Sequence, residues 1–222
     1  MGHLIDLQHP DGGTSRGYLA EAQAGAPGLI LIQEWWGLND HIKALVDRFA
    51  AAGFTTLAPD LYQGRVAGNA DEASHLMNGL DFAAAVQQDL RAAQTLLQQQ
   101  CKAVAVLGFC MGGALTIAAA VHLPGLAAGV CFYGIPPASV ADPAQLRIPL
   151  QGHFASRDDW CTPAAAAALE QALRSHGQQP EFHHYQADHA FFNSSRPEVF
   201  DAAAAELAWQ RSVEFLRRQL KA

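Results

Sequence analysis

No apolar stretch in this 222-residue chain approaches the roughly 20 residues that a bilayer-spanning helix needs. That excludes a protein anchored by a transmembrane helix. No basic run is present either. Lys and Arg number 14 against 21 Asp and Glu, for a formal net charge of -7, so a nucleic-acid partner is not expected. The same acidity repels anionic substrates unless a local arginine offsets it. The opening Met1-Gly2-His3-Leu4-Ile5-Asp6 lacks the charged and apolar regions of a signal peptide, so a cytoplasmic protein is expected. Cysteine is scarce, and none of Cys101, Cys110, Cys131 and Cys161 forms a C-x-x-C pair, which removes zinc-ribbon and thioredoxin readings. Without a secretory signal the four are expected to be reduced thiols. Linkers, repeats and composition breaks are also missing. Residues 1–222 therefore read as one α/β domain, long enough to bury a sizeable core.

What the chain does have is alternation. Strands are expected at Gly28–Gln33, Phe54–Ala58, Ala103–Leu107, Gly129–Phe132, Ile148–Gly152 and Glu181–Gln186. An opening hairpin, His3–Gln8 with Gly17–Glu21, turns on Asp11-Gly12-Gly13. Helices are expected at Asp40–Ala52, over most of Asn69–Gln100 with a break near Asn78-Gly79, at Ala114–Val121, at Pro163–Ser175 and at Pro197–Gln219. Strands that are apolar throughout, separated by helices, imply a mostly parallel sheet covered on both faces. In such sheets the active site lies at the carboxyl ends of the strands.

Three strand ends carry chemistry. The first is Gly108-Phe109-Cys110-Met111-Gly112-Gly113, a Gly-x-nucleophile-x-Gly elbow with cysteine as the nucleophile. A strand enters the motif and a helix leaves it, which is the context that the motif requires. The helix N-terminus favours a thiolate and a developing oxyanion. The second strand end offers Asp158 and Asp159, and the third His189. Nucleophile, acid, histidine is the chain order of α/β-hydrolases. Histidine takes the nucleophile's proton and the acid fixes its ring. His183 and His184 alternate along a strand and cannot join His189 on one face, so no metal site is assigned. Cys101 and Cys131 read as structural, and Cys161 as a pocket-lining residue.

A fourth segment, Gln33-Glu34-Trp35-Trp36-Gly37, follows the strand that starts at Gly28. This is where the fold places its second oxyanion donor, so the backbone N–H groups of Trp35 and Met111 are the expected pair. Glu34 is unusual here, because a carboxylate near the nucleophile raises the thiol pKa. It suggests a switch in which Glu34 holds the thiol until substrate displaces it. The alternatives are a helix-terminal carboxylate or a salt-bridged loop residue.

Together with Pro59-Asp60-Leu61-Tyr62, Phe132-Tyr133-Gly134 and His189-Ala190-Phe191, these residues resemble the dienelactone hydrolase family (carboxymethylenebutenolidases) over nearly the whole chain. The cysteine elbow and the Gln-Glu segment carry the resemblance, since serine hydrolases of this fold lack both. The resemblance implies an α/β-hydrolase fold with Cys110 as nucleophile, His189 as base and Asp158 as orienting acid. The spacing to Pro163 suits Asp159, so both acids stay candidates. It also implies that Glu34 contacts the resting thiol and moves when substrate binds. On the substrate side it implies Arg65, Tyr133, Trp36 and Phe191. Arg65 stands one position from the family's place, and the family's second arginine falls at Asn193, with Arg196 three residues on.

The activity implied is hydrolysis of a lactone or enol ester such as a dienelactone, through a thioester and with no cofactor. A general esterase or thioesterase on neutral esters is the alternative, and a silent binding protein on this scaffold a third reading. The partner expected is a small-molecule ester or lactone, and the expected state a monomer or weak homodimer.

Overall fold

The computed structural model describes residues 1–221; Ala222, the last residue of the expected domain, lies outside the described residues. Eight strands form one sheet: β1 (His3–Gln8), β2 (Thr14–Ala20), β3 (Gly28–Ile32), β4 (Thr55–Pro59), β5 (Val104–Phe109), β6 (Gly129–Phe132), β7 (Leu150–Arg157) and β8 (Glu181–Asp188). Their order is β1-β2-β4-β3-β5-β6-β7-β8. The β1–β2 hairpin is antiparallel, and β2 pairs antiparallel with β4. From β4 onward every pairing is parallel. This is the mostly parallel sheet that the alternation predicts and the α/β-hydrolase fold that the resemblance implies.

The central strands are apolar at every position because both faces are covered. On β3 and β5, Ile30, Ile32, Val104 and Val106 point into one core layer. Leu29, Leu31, Ala105, Leu107 and Phe109 point into the other. The helices are α1 (Asp40–Ala51), α2 (Ala70–Asn78), α3 (Phe82–Ala84), α4 (Arg91–Gln100), α5 (Met111–His122), α6 (Pro163–Ser175) and α7 (Ala202–Leu220). Helix α5 is buried from Met111 to Ala120, as expected for the helix behind a nucleophile elbow. No helix of the described residues is long and apolar enough to cross a membrane.

Several boundaries move, each for a local reason. Helix α7 starts at Ala202 rather than Pro197, because Asp201 caps it by accepting from the Ala204 N–H. The preceding residues instead form turns, with Val199 and Phe200 donating to the Arg196 carbonyl. The break near Asn78-Gly79 separates α2 from α3 as expected, and a π-helical segment (Ala85–Leu90) joins α3 to α4. Strand β7 runs five residues past Gly152, and β8 two past Gln186. Their carboxyl ends therefore deliver Asp158 and His189 directly to the rim of the sheet.

The elbow depends on glycine where backbones meet. A Cβ on Gly112 would lie 2.5 Å from the carbonyl oxygens of Ile32 and Gln33. That contact holds the end of β3, and hence Glu34 and Trp35, against the first turn of α5. A Gly112→Ala protein should lose about 1–3 kcal/mol of stability, the usual cost of overpacking a rigid contact. Urea unfolding monitored by circular dichroism measures it, and an unchanged midpoint would show that the two segments are free to part.

Candidate active site

Cys110 sits between β5 and α5 with φ 55° and ψ -116°, a strained conformation for a side-chain-bearing residue. The strain is held from several sides. The Cys110 N–H donates to the Phe132 carbonyl at 3.0 Å, and its own carbonyl accepts from Ala114 at 3.1 Å. Gly134 packs so closely against the Cys110 carbonyl that no side chain fits there. The turn thus presents the thiol at the N-terminus of α5, half-buried.

His189 and Asp158 complete a relay. The Asp158 Oδ2 atom lies 2.7 Å from His189 Nδ1, and His189 Nε2 lies 3.2 Å from Cys110 Sγ. A carboxylate only accepts, so Nδ1 carries the hydrogen and Nε2 is the atom that faces sulfur. Asp158 is itself fixed, because its Oδ1 accepts from the Trp160 and Cys161 N–H groups at 2.8 Å each. Burial opposes charge on the His189 ring, but the hydrogen bonds and negative charges of Asp158 and Cys110 outweigh it. The imidazole is pushed up to about 10. Of the two candidate acids, Asp158 bonds the ring, while Asp159 lines the neighbouring cavity.

Glu34 does not sit where a thiol-holding switch requires. Its carboxylate accepts from the Tyr133 hydroxyl at 3.2 Å and from Asn193 Nδ2 at 2.5 Å, while the thiol is bonded to His189. The reason is competition: two fixed donors face the carboxylate, and the nearest acceptor to the thiol is the ring. Burial pushes the Glu34 carboxyl up; the Asn193 and Tyr133 hydrogen bonds and the His189 and Arg196 charges pull against it.

A cavity of about 510 Å³ opens over Cys110 and His189. Glu34, Trp35, Trp36, Met77, Trp160 and Val199 supply much of its wall, with Arg157 and Arg196 at its charged parts. Trp35 meets Trp36 and Trp160 edge to face, at 5.2 and 6.0 Å between ring centroids. Arg157 is spent on a two-pronged pair with Asp188. Arg196 pairs with Glu198 through Nε and lies over the Trp36 ring. Among the described residues the backbone N–H groups of Trp35 and Met111 donate to no protein acceptor, which leaves both free at this site. No group of three or more His, Cys, Asp or Glu is placed to hold a metal among the described residues.

Four expected pocket residues lie elsewhere. Arg65 bonds the Tyr62 carbonyl and lines a separate surface hollow beside α2, because the chain turns away from the cavity after Gly64. Tyr133 is buried and holds Glu34. Phe191 is wholly buried between Tyr133 and Tyr185. Cys161 is in the core, where burial pushes its thiol far above the ordinary cysteine range. Asn193, in turn, stands out in the sequence only as an absent arginine, at the point where the apolar Ala190-Phe191-Phe192 ends.

Comparison with known proteins gives the family and the fold. The sequence profile of the Dienelactone hydrolase family matches residues 15–220. Protein usf of Aquifex pyrophilus is 33% identical, over 99% of this chain and 100% of its own. Carboxymethylenebutenolidase 1 of Cupriavidus pinatubonensis is 30% identical, over 96% of this chain and 95% of its own. A solved structure described as "Putative Dienelactone Hydrolase", from Klebsiella pneumoniae, superposes with a TM-score of 0.85 at 26% identity, covering 96% of this chain and 98% of that one.

The His189 environment has a consequence for stability. A ring at about 10 when folded and about 6.5 when unfolded stabilises the fold fully below pH 6.5. That contribution is lost as pH rises toward 10. Unfolding free energy of a Cys110→Ala protein, in which no thiolate offsets the ring's proton, should therefore fall as pH rises above about 6.5, and adding Asp158→Asn should flatten the fall. Equal slopes for the two proteins would show that Asp158 does not hold the proton on His189.

Proposed function

We propose, on the premise that this chain belongs to the dienelactone hydrolase family of carboxylic ester hydrolases, that it cleaves an activated ester or lactone through a thioester on Cys110. The observation that carries this reading is the unbroken hydrogen-bonded series Asp158, His189, Cys110, whose last two members line the cavity. A thiolate beside an imidazolium is a nucleophile ready at neutral pH.

Cys110 Sγ attacks the substrate carbonyl, and the carbonyl oxygen takes the negative charge. The free N–H groups of Trp35 and Met111 are the donors for that oxyanion. As the C–O bond breaks, the leaving enol or alcohol oxygen takes its proton from His189 Nε2. Water then attacks the thioester while Nε2 accepts a water proton. The C–S bond breaks, the acid leaves, and the thiolate–imidazolium pair is restored. An enolate leaves readily, which suits a thiolate that expels ordinary alkoxides poorly. The aromatic and thioether wall formed by Trp35, Trp36, Met77 and Trp160 fits an apolar or conjugated substrate body.

A lactone of the dienelactone type is the first substrate class to test. Neutral activated esters are the second reading, favoured by the position of Arg65 outside the cavity and by the use of Asn193 on Glu34. Steady-state hydrolysis of a carboxylated dienelactone and of a neutral activated ester tests both. The Cys110→Ala variant should lose at least about a thousandfold in kcat on either substrate. Retained turnover would remove the nucleophile assignment. Arg65→Ala, away from the cavity, should keep kcat/KM within about twofold. A selective loss on the carboxylated lactone would instead bring Arg65 into substrate binding.

A further inference from the structure

Asn193 is buried and does not line the cavity, yet it makes the shortest polar contact to Glu34. Its amide has only one workable orientation. Oδ1 accepts from the Ser195 N–H at 3.0 Å and from the Ser195 hydroxyl at 2.6 Å. Those two donors fix the carbonyl end and turn the NH2 end toward Glu34 Oε2. The residue also belongs to the turn that follows the base. Ala190 has φ 63°, and the Asn193 N–H donates to its carbonyl at 2.9 Å. The segment that delivers His189 to the thiol therefore delivers Asn193 to Glu34.

We propose that Asn193 is a positioning residue that anchors the Glu34 carboxyl away from Cys110, leaving the thiol proton to His189 alone. This rests on Cys110 being the nucleophile. The physical need is plain: Glu34 and Cys110 line one cavity, and a carboxylate that reached the sulfur would hold its proton in place and oppose the thiolate by like charge. The groups facing Glu34 are Tyr133, His189 and Arg196. Those around Cys110 are His189, Tyr62, Tyr133 and Cys161. Of all of these, only Tyr133 would still bond Glu34 once Asn193 is removed. Asn193 also closes its own turn, but that task uses Oδ1 and leaves Nδ2 uncommitted.

The test is the pH dependence of Cys110 alkylation by iodoacetamide, mapped to the residue by mass spectrometry, with Cys110→Ala as the blank. Asn193→Ala should slow alkylation roughly tenfold below neutral pH and move the midpoint up by about one pH unit. The kcat for ester hydrolysis should fall in the same pH range while KM holds. In a Glu34→Gln background the Asn193→Ala change should move the midpoint no further. An unmoved or lowered midpoint, or an equal rise without the Glu34 carboxyl, overturns the proposal. Should Asn193→Ala fail to fold, Ser195→Ala decides: it removes one of the two donors that fix the amide and should raise the midpoint by a smaller amount, and no rise counts against the anchor. Ester turnover by the Cys110→Ala blank would defeat the nucleophile reading separately, whatever the midpoints show.

Discussion

The backbone of Cys110 is held in a conformation that a residue with a side chain rarely adopts, and the site is arranged around keeping it there. Release would be locally favourable, because strain at one residue costs about 1–3 kcal/mol. What prevents it is that three segments lock the turn from different directions. Gly134 backs onto the Cys110 carbonyl, Gly112 onto the end of β3, and Gly108 onto the first turn of α5. In each case the neighbour is backbone, which cannot rotate out of the way. The same close approach that strains Cys110 brings the loop of Glu34 and Trp35 to the N-terminus of α5. The half-buried thiol, the free N–H groups beside it and the buried carboxylate are therefore consequences of a single packing arrangement.

Charge is then distributed so that each ionisable group has a fixed partner. Asp158 spends one oxygen on two backbone N–H groups and the other on His189, so the ring cannot tilt away from the sulfur. Glu34 has no such relay; it meets neutral donors, a phenol and an amide. Neutral donors offset part of the desolvation of a buried carboxyl without adding a cation that would compete for the thiolate. The difference between the two acids lies in their partners: one bonds a ring that can carry charge, the other only neutral donors.

The sheet was legible in the sequence because its innermost strands, β3, β5 and β6, are apolar throughout and its helices are punctuated by Asn39, Gly53, Pro163 and Gly177. The relay was legible for a related reason: Cys110, Asp158 and His189 each follow a strand, and strand ends converge on one rim of a parallel sheet. Side-chain direction was not legible. Nothing in Tyr133 or Phe191 says whether a residue beside the nucleophile faces substrate or core, and both face the core. Arg65 was misplaced because the path of a loop depends on turns after Gly64 that carry no periodic signal. Glu34 was misread because its partners lie 99 and 159 residues away. The ends of β7 and β8 were drawn short, since polar residues at a sheet rim look like loop until the pairing of Arg157 with Asp188 is seen.

Recognition and chemistry are carried by parts of unequal rigidity. The relay stands on the ends of β5, β7 and β8, which are paired on both sides or packed beneath buried aromatic rings. The cavity wall opposite is thinner. Helix α2 contributes Ala70 and Met77 to it but buries only Ala73. Trp160 adds its ring while 74% exposed. Elements with so little buried surface can change in sequence at small cost to the fold, whereas a change at the strand ends disturbs the sheet itself. A scaffold divided in this way keeps its proposed thiol chemistry constant while the wall over it sets which ester enters. That division fits the positions seen here: the thiol, ring and carboxylate stand on strand ends, whereas Arg65 lies outside the cavity and Asn193 is spent on Glu34.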